Sequence, residues 1–277
     1  MRQVLPEALL SEGLEMVIDR SLVTQLDASV MDYWGTYALS GGGRHERLGD
    51  ALFMRTAIPH CLFNSVILSG YDPATVEAAL KLAEDCANSD GVPVLWRIGP
   101  LADSAELRAH LEKAGLQPTD PQPAMLVDLS DLPHHTQIDG MVIAMANGTE
   151  ERREWGRLTI AAFEMEDSLG VAMGTCEATI PVEHYEDQPR FTAYLDGEPV
   201  AVSSLVMTNG LAGVYAVATL PNARKRGIGT AMTLHAMAEG MRRGARLATL
   251  QATTMGRPIY EKIGFRKVFD YQTYLQH

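Results

Sequence analysis

The residues with the clearest chemical meaning are two glycines beside a group of cations. The segment Arg224-Lys-Arg-Gly-Ile-Gly-Thr230 follows a strand-like run, 214–219, and opens a helix-like pattern. The first amides of a helix lack intrahelical acceptors, and the helix dipole is positive at that end. The glycines leave no side chain between those amides and a ligand, and Arg224 and Arg226 add positive charge. The segment therefore predicts a phosphate or pyrophosphate site.

Other nucleotide-binding loops fit this segment less well. No Gly-Lys-Ser/Thr follows the glycines, so it is not a Walker loop. The preceding strands are separated by Asp196-Gly197 and Asn209-Gly210, which predict hairpins, whereas a dinucleotide-binding fold needs crossover connections. The glycine spacing is weak evidence by itself, and its place between a strand and a helix gives it weight.

A second motif, Tyr260-Glu-Lys-Ile-Gly-Phe265, lies about thirty residues further along the chain. The two motifs, in this order and at this separation, resemble the GNAT superfamily of coenzyme-A-dependent N-acyltransferases. Its signatures are Arg/Gln-x-x-Gly-x-Gly/Ala and a later Tyr followed by Gly-Phe. The run 250–260 is also similar to this family, and the resemblance covers about residues 140–275.

The resemblance implies an acetyl-CoA-dependent N-acetyltransferase in which a primary amine attacks the thioester directly. The backbone from Val217 to Thr219 would bind the pantetheine arm, and amides from Lys225 to Thr230 would bind the pyrophosphate. Tyr260 would protonate the leaving thiolate, a reasonable exchange because a phenol has a pKa near 10. Its alternative is a half-buried packing residue. The implied cofactor-binding residues are Val217, Thr219, Arg224, Lys225, Arg226, Gly227, Ile228, Gly229, Thr230 and Thr253.

Two departures from the family pattern concern the cofactor contact and the base. Thr253 stands where many relatives have an asparagine seven residues before the tyrosine. The strand 211–220 has no carboxylate, although some relatives carry a catalytic one there. The base stays open among water chains, backbone carbonyls, Tyr215, Glu164 and His184.

An acidic segment after the first helix of this half suggests the acceptor. No Lys or Arg occurs between Leu158 and Pro189, where seven carboxylates lie. Such a wall would attract a small cationic amine, so the candidate substrate-binding residues are Glu164, Glu166, Asp167 and Tyr215. The alternative is a solvated acidic loop. A protein or peptide N-acetyltransferase and a non-catalytic acyl-CoA-binding regulator are the other candidate functions.

The elements indicate an α+β chain of two GNAT-like domains in tandem, each with a largely antiparallel central sheet flanked by helices. We place a degenerate domain without the phosphate loop at 1–132 and the catalytic domain at 138–277, on either side of a Pro- and Gly-containing linker. In the first domain we expect a helix over 7–33. In the second, we expect helices from 149 and from 224 and irregular chain over 164–189.

A short internal repeat supports the tandem arrangement. Leu111-Glu-Lys-Ala-Gly-Leu116 mirrors the motif that begins at Tyr260. Counting from Pro73 against Pro221 places Val76, Ala79 and Lys81 where Arg224, Gly227 and Gly229 stand. A helix start without glycine could not accept a pyrophosphate closely, so we expect the first domain to wall the acceptor site.

Composition limits the remaining classes. The net charge of −12 over 277 residues argues against a nucleic-acid binder. The charge is uneven, since residues 1–137 carry 9 Lys/Arg against 19 Asp/Glu, and residues 138–277 carry 14 against 16. No secretory signal or membrane span is evident, and the three cysteines lack metal-ligand spacing. We expect a cytoplasmic protein without a metal, either a monomer or a homodimer.

Overall fold

The computed structural model describes residues 18–132 and 137–277, so the first eleven residues of the helix predicted at 7–33 and part of the linker lie outside the described residues. The first half has the following helices and strands: α1 (Arg20–Tyr37), β1 (Arg44–Leu48), β2 (Ala51–Arg55), β3 (Ser65–Leu68), α2 (Pro73–Asp90), β4 (Val94–Ile98), α3 (Ala105–Lys113) and β5 (Gln117–Asp128). The second half has these: β6 (Met141–Met145), α4 (Thr149–Ala162), α5 (Ser168–Thr179), α6 (Glu183–Asp187), β7 (Arg190–Leu195), β8 (Glu198–Thr208), β9 (Leu211–Thr219), α7 (Ile228–Arg242), β10 (Leu247–Gln251), α8 (Arg257–Ile263) and β11 (Arg266–Gln276).

The described strands form a single sheet that runs through both halves. Its order is β1-β2-β3-β4-β11-β5-β10-β9-β8-β7-β6. The pairs β3–β4 and β9–β10 are parallel, and the other neighbours are antiparallel. The predicted α+β class with a largely antiparallel sheet is confirmed, and the two halves share that sheet.

The two central strands are exchanged between the halves. Strand β5, from the first half, lies between β10 and β11, and β11, from the second half, lies between β4 and β5. The two strands pair antiparallel, with Tyr271 opposite Gln122. The proposed division at 1–132 and 138–277 therefore divides the sequence, but it does not divide the sheet, which is continuous across both halves.

Helices cover both faces of the second half. On one face, α7 and α8 contribute Met232, Met237 and Ile263 to a core with residues of β7–β10. On the opposite face, α4 and α5 pack with α1 of the first half, which contacts β8 and β9. A helix from the first half therefore covers part of the second half's sheet.

The two predicted hairpin turns are confirmed by the backbone. Asp196 and Gly197 have φ of 52° and 89°, and Asn209 and Gly210 have φ of 49° and 78°. Two consecutive positive φ values suit the right-handed twist of the flanking strands.

The prediction of irregular chain over 164–189 is wrong, because α5 and α6 form there. Glycines at 170 and 174 weaken the helical pattern of α5 in the sequence. The fold uses one of them for packing: a Cβ at Gly174 would lie 2.8 Å from the Arg153 carbonyl oxygen, and one at Gly156 would lie 2.8 Å from that of Met173. The close contact between α4 and α5 therefore explains why glycine, which is unfavourable in a helix, occurs at positions 156 and 174.

Two smaller differences have simple causes. Helix α7 begins at Ile228 and not at Arg224, because Gly227 is left-handed at its N-cap with φ of 80°. Strand β1 is not predicted, since its polar, mostly exposed residues at the sheet edge show no apolar alternation. Among the described residues, no helix is long and apolar enough to cross a membrane.

Candidate functional site

The loop between β9 and α7 exposes a run of backbone amides. A short 3-10 turn, Pro221–Ala223, is followed by Lys225 and Gly227, both with positive φ (63° and 80°). The first helical hydrogen bond is donated by the Ala231 amide to the Gly227 carbonyl, 3.0 Å away. No described residue accepts a hydrogen bond from the six amides from 225 to 230. They form a cradle of free donors at the positive end of a fifteen-residue helix.

Space above these amides is open. A Cβ at Gly229 would meet nothing nearer than Thr219 Oγ1 at 3.8 Å and Ile259 Cδ1 at 3.9 Å. Lys225 and Arg226 are exposed and form no ion pair with the described residues. The predicted cluster therefore has donors, free cations and room for an anion.

Arg224 differs from its two cationic neighbours. Its Nε donates to the Thr219 carbonyl at 3.0 Å, and its Nη2 donates to the Ala162 carbonyl at 2.9 Å. Its Nη1 lies 2.6 Å from Glu164 Oε2. The structure therefore uses this guanidinium to fasten the loop to the end of α4.

The parallel strands beside the loop diverge. The β9–β10 ladder contains three pairs and ends at Gly213 opposite Thr249, although β9 continues to Thr219. A bulge in β9 places Ala216, with φ of 49°, and Val217 opposite one residue of β8. A bulge bends the strand that carries it, so β9 leaves β10 with its backbone from Val214 onward unpaired on that side.

Tyr260 lies on α8 and is 9% exposed. Burial raises the pKa of its phenol to about 12. Its ring packs edge-on to Phe265 and against Gly256, where a Cβ would lie 2.9 Å from Cε2. The hydroxyl has no hydrogen-bond partner among the described residues, so its proton is available to a ligand.

Thr253 is exposed in the loop between β10 and α8. Its Oγ1 accepts a hydrogen bond from the Gly256 amide at 3.1 Å. It therefore shapes the turn against which the Tyr260 ring packs.

Comparison with known proteins agrees with this geometry. Residues 159–265 match the family model "Acetyltransferase (GNAT) family". The matched segment contains both the loop after β9 and Tyr260, so the second half carries a GNAT-family segment. No curated protein matches it.

Solved GNAT structures share the fold over most of the chain. A GCN5-related N-acetyltransferase from Kribbella flavida is 20% identical, with a TM-score of 0.65 over 90% of this chain and 95% of that one. A tandem GNAT protein from the clavulanic acid biosynthesis pathway is 13% identical, with a TM-score of 0.58 over 90% and 94%. A GCN5-related N-acetyltransferase from Sphaerobacter thermophilus is 18% identical, with a TM-score of 0.57 over 83% and 82%.

The predicted acceptor residues differ in their partners. Glu164 is paired with Arg224, and Glu177, from the same acidic segment, is fully buried 3.2 Å from Arg190. Glu166 and Asp167 are exposed at the start of α5, and no described cation pairs with either of them. Two of the seven carboxylates are thus already neutralised.

Tyr215 is buried and contacts the first half. Its ring stacks on Tyr33 with centroids 4.1 Å apart, and its hydroxyl lies 3.0 Å from Ser29 Oγ. Desolvation raises the pKa of the Tyr215 phenol, and hydrogen bonds to Ser29 and Gln251 oppose that rise. This tyrosine precedes the bulge of β9, so the first half reaches the place where β9 and β10 diverge.

No sequence motif indicated the residues that α1 brings here. Ser29, Tyr33 and Trp34 belong to an ordinary amphipathic helix with no motif. Their pairing with a strand about 180 residues away depends on how the two halves pack.

Proposed function

We propose that this protein is an acetyl-CoA-dependent N-acetyltransferase that acts on a small primary amine, with its active site in residues 138–277. The observation that supports it most is the cradle of six free amides beside two strands that diverge. A pyrophosphate matches the first feature, and the unpaired backbone of β9 suits the amide groups of a pantetheine arm.

The residues that would hold acetyl-CoA divide by role. Amides from Lys225 to Thr230 would bind the pyrophosphate, with Lys225 and Arg226 adding charge. The backbone of Val217 and Thr219 would bind the pantetheine. Ile228 and Gly229 would contribute through their amides, while Arg224 acts by holding the loop.

Bound acetyl-CoA would supply an acetyl thioester, which a neutral amine converts into an amide and a free thiol. The N–C bond forms, the C–S bond breaks, and the amine gives up one proton. Tyr260 would donate its phenolic proton to the departing sulfur and regain one from solvent. Because burial raises the pKa of Tyr260 to about 12, it keeps that proton at neutral pH.

We assign residues 1–132 to a degenerate domain that walls the acceptor site. The packing of α1 on β8 and β9, and the contact of Tyr33 with Tyr215, support this role. The base stays open, and Glu164 is less suited to it because Arg224 already holds its carboxylate.

A calorimetric titration with acetyl-CoA tests the cofactor site. We expect one site per chain and at least a hundredfold weaker binding for Gly229→Glu, which places a carboxylate against the amides without backbone strain. Lys81→Glu, at the counted equivalent position of the first half, is the matched control and should bind normally. Equal binding by both variants would contradict the assignment. Binding without acetyl transfer to any amine would favour the regulator.

A second experiment tests the cationic acceptor. The double variant Glu166→Gln, Asp167→Asn removes two exposed carboxylates at the start of α5 that have no ion-pair partner among the described residues. We expect the Michaelis constant for a cationic amine to rise about threefold to tenfold, with that for acetyl-CoA unchanged. Equal changes in both constants, or none, would remove these residues from the acceptor site.

A further inference from the structure

One buried guanidinium between the halves has no ion-pair partner among the described residues. Arg97, on β4, is 1% exposed, and its Nε and Nη1 have no hydrogen-bond partner among the described residues. Its Nη2 reaches the Leu62 carbonyl at 3.5 Å, the outer limit of a hydrogen bond. Leaving charged donors buried and unpaired is costly, so such a group usually has a partner.

Arg190, the other fully buried arginine among the described residues, has a carboxylate partner, although its Nη2 also lacks a hydrogen bond there. Arg190 lies 3.2 Å from the Glu177 carboxylate and also donates to the Gln188 carbonyl. Around Arg97, the titratable groups that act on it are Cys61, Tyr33 and Tyr215, and none is a carboxylate. The described residues therefore leave Arg97 without the anion that Arg190 has.

Contacts link this guanidinium to the place where the strands diverge. Arg97 Cζ lies 4.1 Å from the Trp34 ring centroid. Trp34 follows Tyr33, whose ring stacks on Tyr215 just before the bulge of β9. Arg97 and α1 thus lie on the face of the sheet opposite α7 and α8.

The cover over Arg97 is thin. Trp34, Cys61 and Leu62 are each partly exposed. The guanidinium therefore lies beneath partly exposed side chains of α1 and of the 3-10 turn at Cys61–Phe63.

We infer that Arg97 binds a carboxylate of the acceptor, so the amine that is acetylated is an amino acid or another small amine that carries a carboxylate. A guanidinium forms strong charge-assisted hydrogen bonds with carboxylates, and Nε and Nη1 of Arg97 are two donors that lack an acceptor among the described residues. This specificity residue comes from the half without a phosphate loop. The inference rests on the proposed acetyl transfer for its reaction, and on the geometry around Arg97 for its binding site.

The test compares matched acceptors, each an amino acid and its carboxamide, such as alanine with alaninamide and phenylalanine with phenylalaninamide. We expect the wild-type protein to have about tenfold to a hundredfold higher kcat/KM for the acid, as charge-assisted hydrogen bonds imply. Arg97→Gln should lose that preference, and Arg97→Lys should keep part of it. Arg108→Gln, which removes an exposed charge on α3, should keep all of it. Acetyl-CoA affinity should be unchanged in the three variants.

A binding measurement separates this inference from the proposed function. If no amine is acetylated, but amino acids raise the unfolding temperature of the wild type and not of Arg97→Gln, acetyl transfer fails and the carboxylate site stands. Equal rates for acids and carboxamides in the wild type, or the same preference in Arg97→Gln, would overturn the inference. If Arg97→Gln does not fold, the comparison of acids with carboxamides in the wild type and in Arg97→Lys decides the question. If no amine is acetylated and amino acids do not stabilise the wild type, both proposals are overturned.

Discussion

Two helix N-termini occupy equivalent places in the two halves of the sheet. Each follows the first strand of a parallel pair and precedes the second: α2 between β3 and β4, and α7 between β9 and β10. The α2 end is closed by its own chain, because Asp72 accepts a hydrogen bond from the Thr75 amide and Pro73 has no amide proton. The α7 end begins with Gly227 and has no side-chain cap. The amides at the start of α2 are thus partly satisfied by its own chain, whereas those at the start of α7 are left for a ligand.

The parallel strands differ in the same sense. All four residues of β3 pair with β4, from Ser65 opposite Leu95 to Leu68 opposite Ile98. Strands β9 and β10 pair over three residues and then separate at the bulge. The first half therefore has the same strand–helix–strand order as the second. Its Asp72 cap and its complete β3–β4 ladder satisfy backbone groups that correspond to those a cofactor would bind in the second half.

The largest expected effect concerns the tyrosine that the first half lacks, since Leu111 stands at the corresponding place. The Leu116 amide donates a hydrogen bond to the Leu111 carbonyl, and the Phe265 amide donates one to the Tyr260 carbonyl, both at 3.0 Å. The turns that end α3 and α8 therefore match. Tyr260→Phe removes the proposed acid, and we expect kcat to fall about 10² to 10⁴-fold with acetyl-CoA affinity unchanged.

Tyr274→Phe controls for this variant, because Tyr274 is buried in the first half's core and should tolerate the loss of its hydroxyl. In the wild type, kcat should not fall as pH rises through 10, since burial raises the pKa of Tyr260 to about 12. Loss of activity with a midpoint near 10, or an active Tyr260→Phe, would exclude Tyr260 as the acid.

A prediction about stability tests whether Asp27, a buried carboxylate of the first half, has a structural role or takes part in the reaction. Asp27, on α1, accepts a hydrogen bond from the Tyr271 hydroxyl at 2.8 Å, and its Oδ2 has no described partner. Burial raises its pKa to about 7, and the Tyr271 bond opposes the rise. The folded protein therefore binds a proton that the unfolded chain releases near pH 4. The stability this proton contributes is complete below pH 4 and is lost as pH rises through 7.

Asp27→Asn should remove this pH dependence, and its free energy of unfolding relative to wild type should rise by about 1 kcal/mol per pH unit between 5 and 7. Chemical denaturation at several pH values measures it. A tenfold fall in kcat at matched stability would mean that the first half takes part in the reaction.

The smallest effect is expected at the ion pair that fastens the phosphate loop. Glu164→Gln leaves the Arg224 hydrogen bonds to Thr219 and Ala162 intact, and a partly exposed pair contributes about 0 to 1 kcal/mol. Acetyl-CoA affinity should fall less than about threefold by calorimetry. Arg224→Gln removes all three contacts, so its acetyl-CoA affinity should fall further. A loss of acceptor affinity in Glu164→Gln alone would instead return this carboxylate to the acceptor wall.

The sequence predicted most of the site that depends on neighbours in the chain. Both hairpins and the free glycine start of α7 follow from local backbone preferences, so a short motif specifies them. The use of Arg224 as a loop anchor was not predictable, because its acceptor at Ala162 lies sixty-two residues away. Arg97 was missed for the same reason, since a lone arginine in an apolar strand shows no sign of what lies across the fold.

The exchange of β5 and β11 has a consequence for how the chain is made. When β4 leaves the ribosome, the neighbour that will complete its open edge has not yet been synthesised, because β11 begins about 170 residues later. Until then the first half has an exposed strand edge, the kind of surface that invites mispairing. The two halves should therefore be expressed together, and neither fragment is expected to be a faithful copy of its part of the whole.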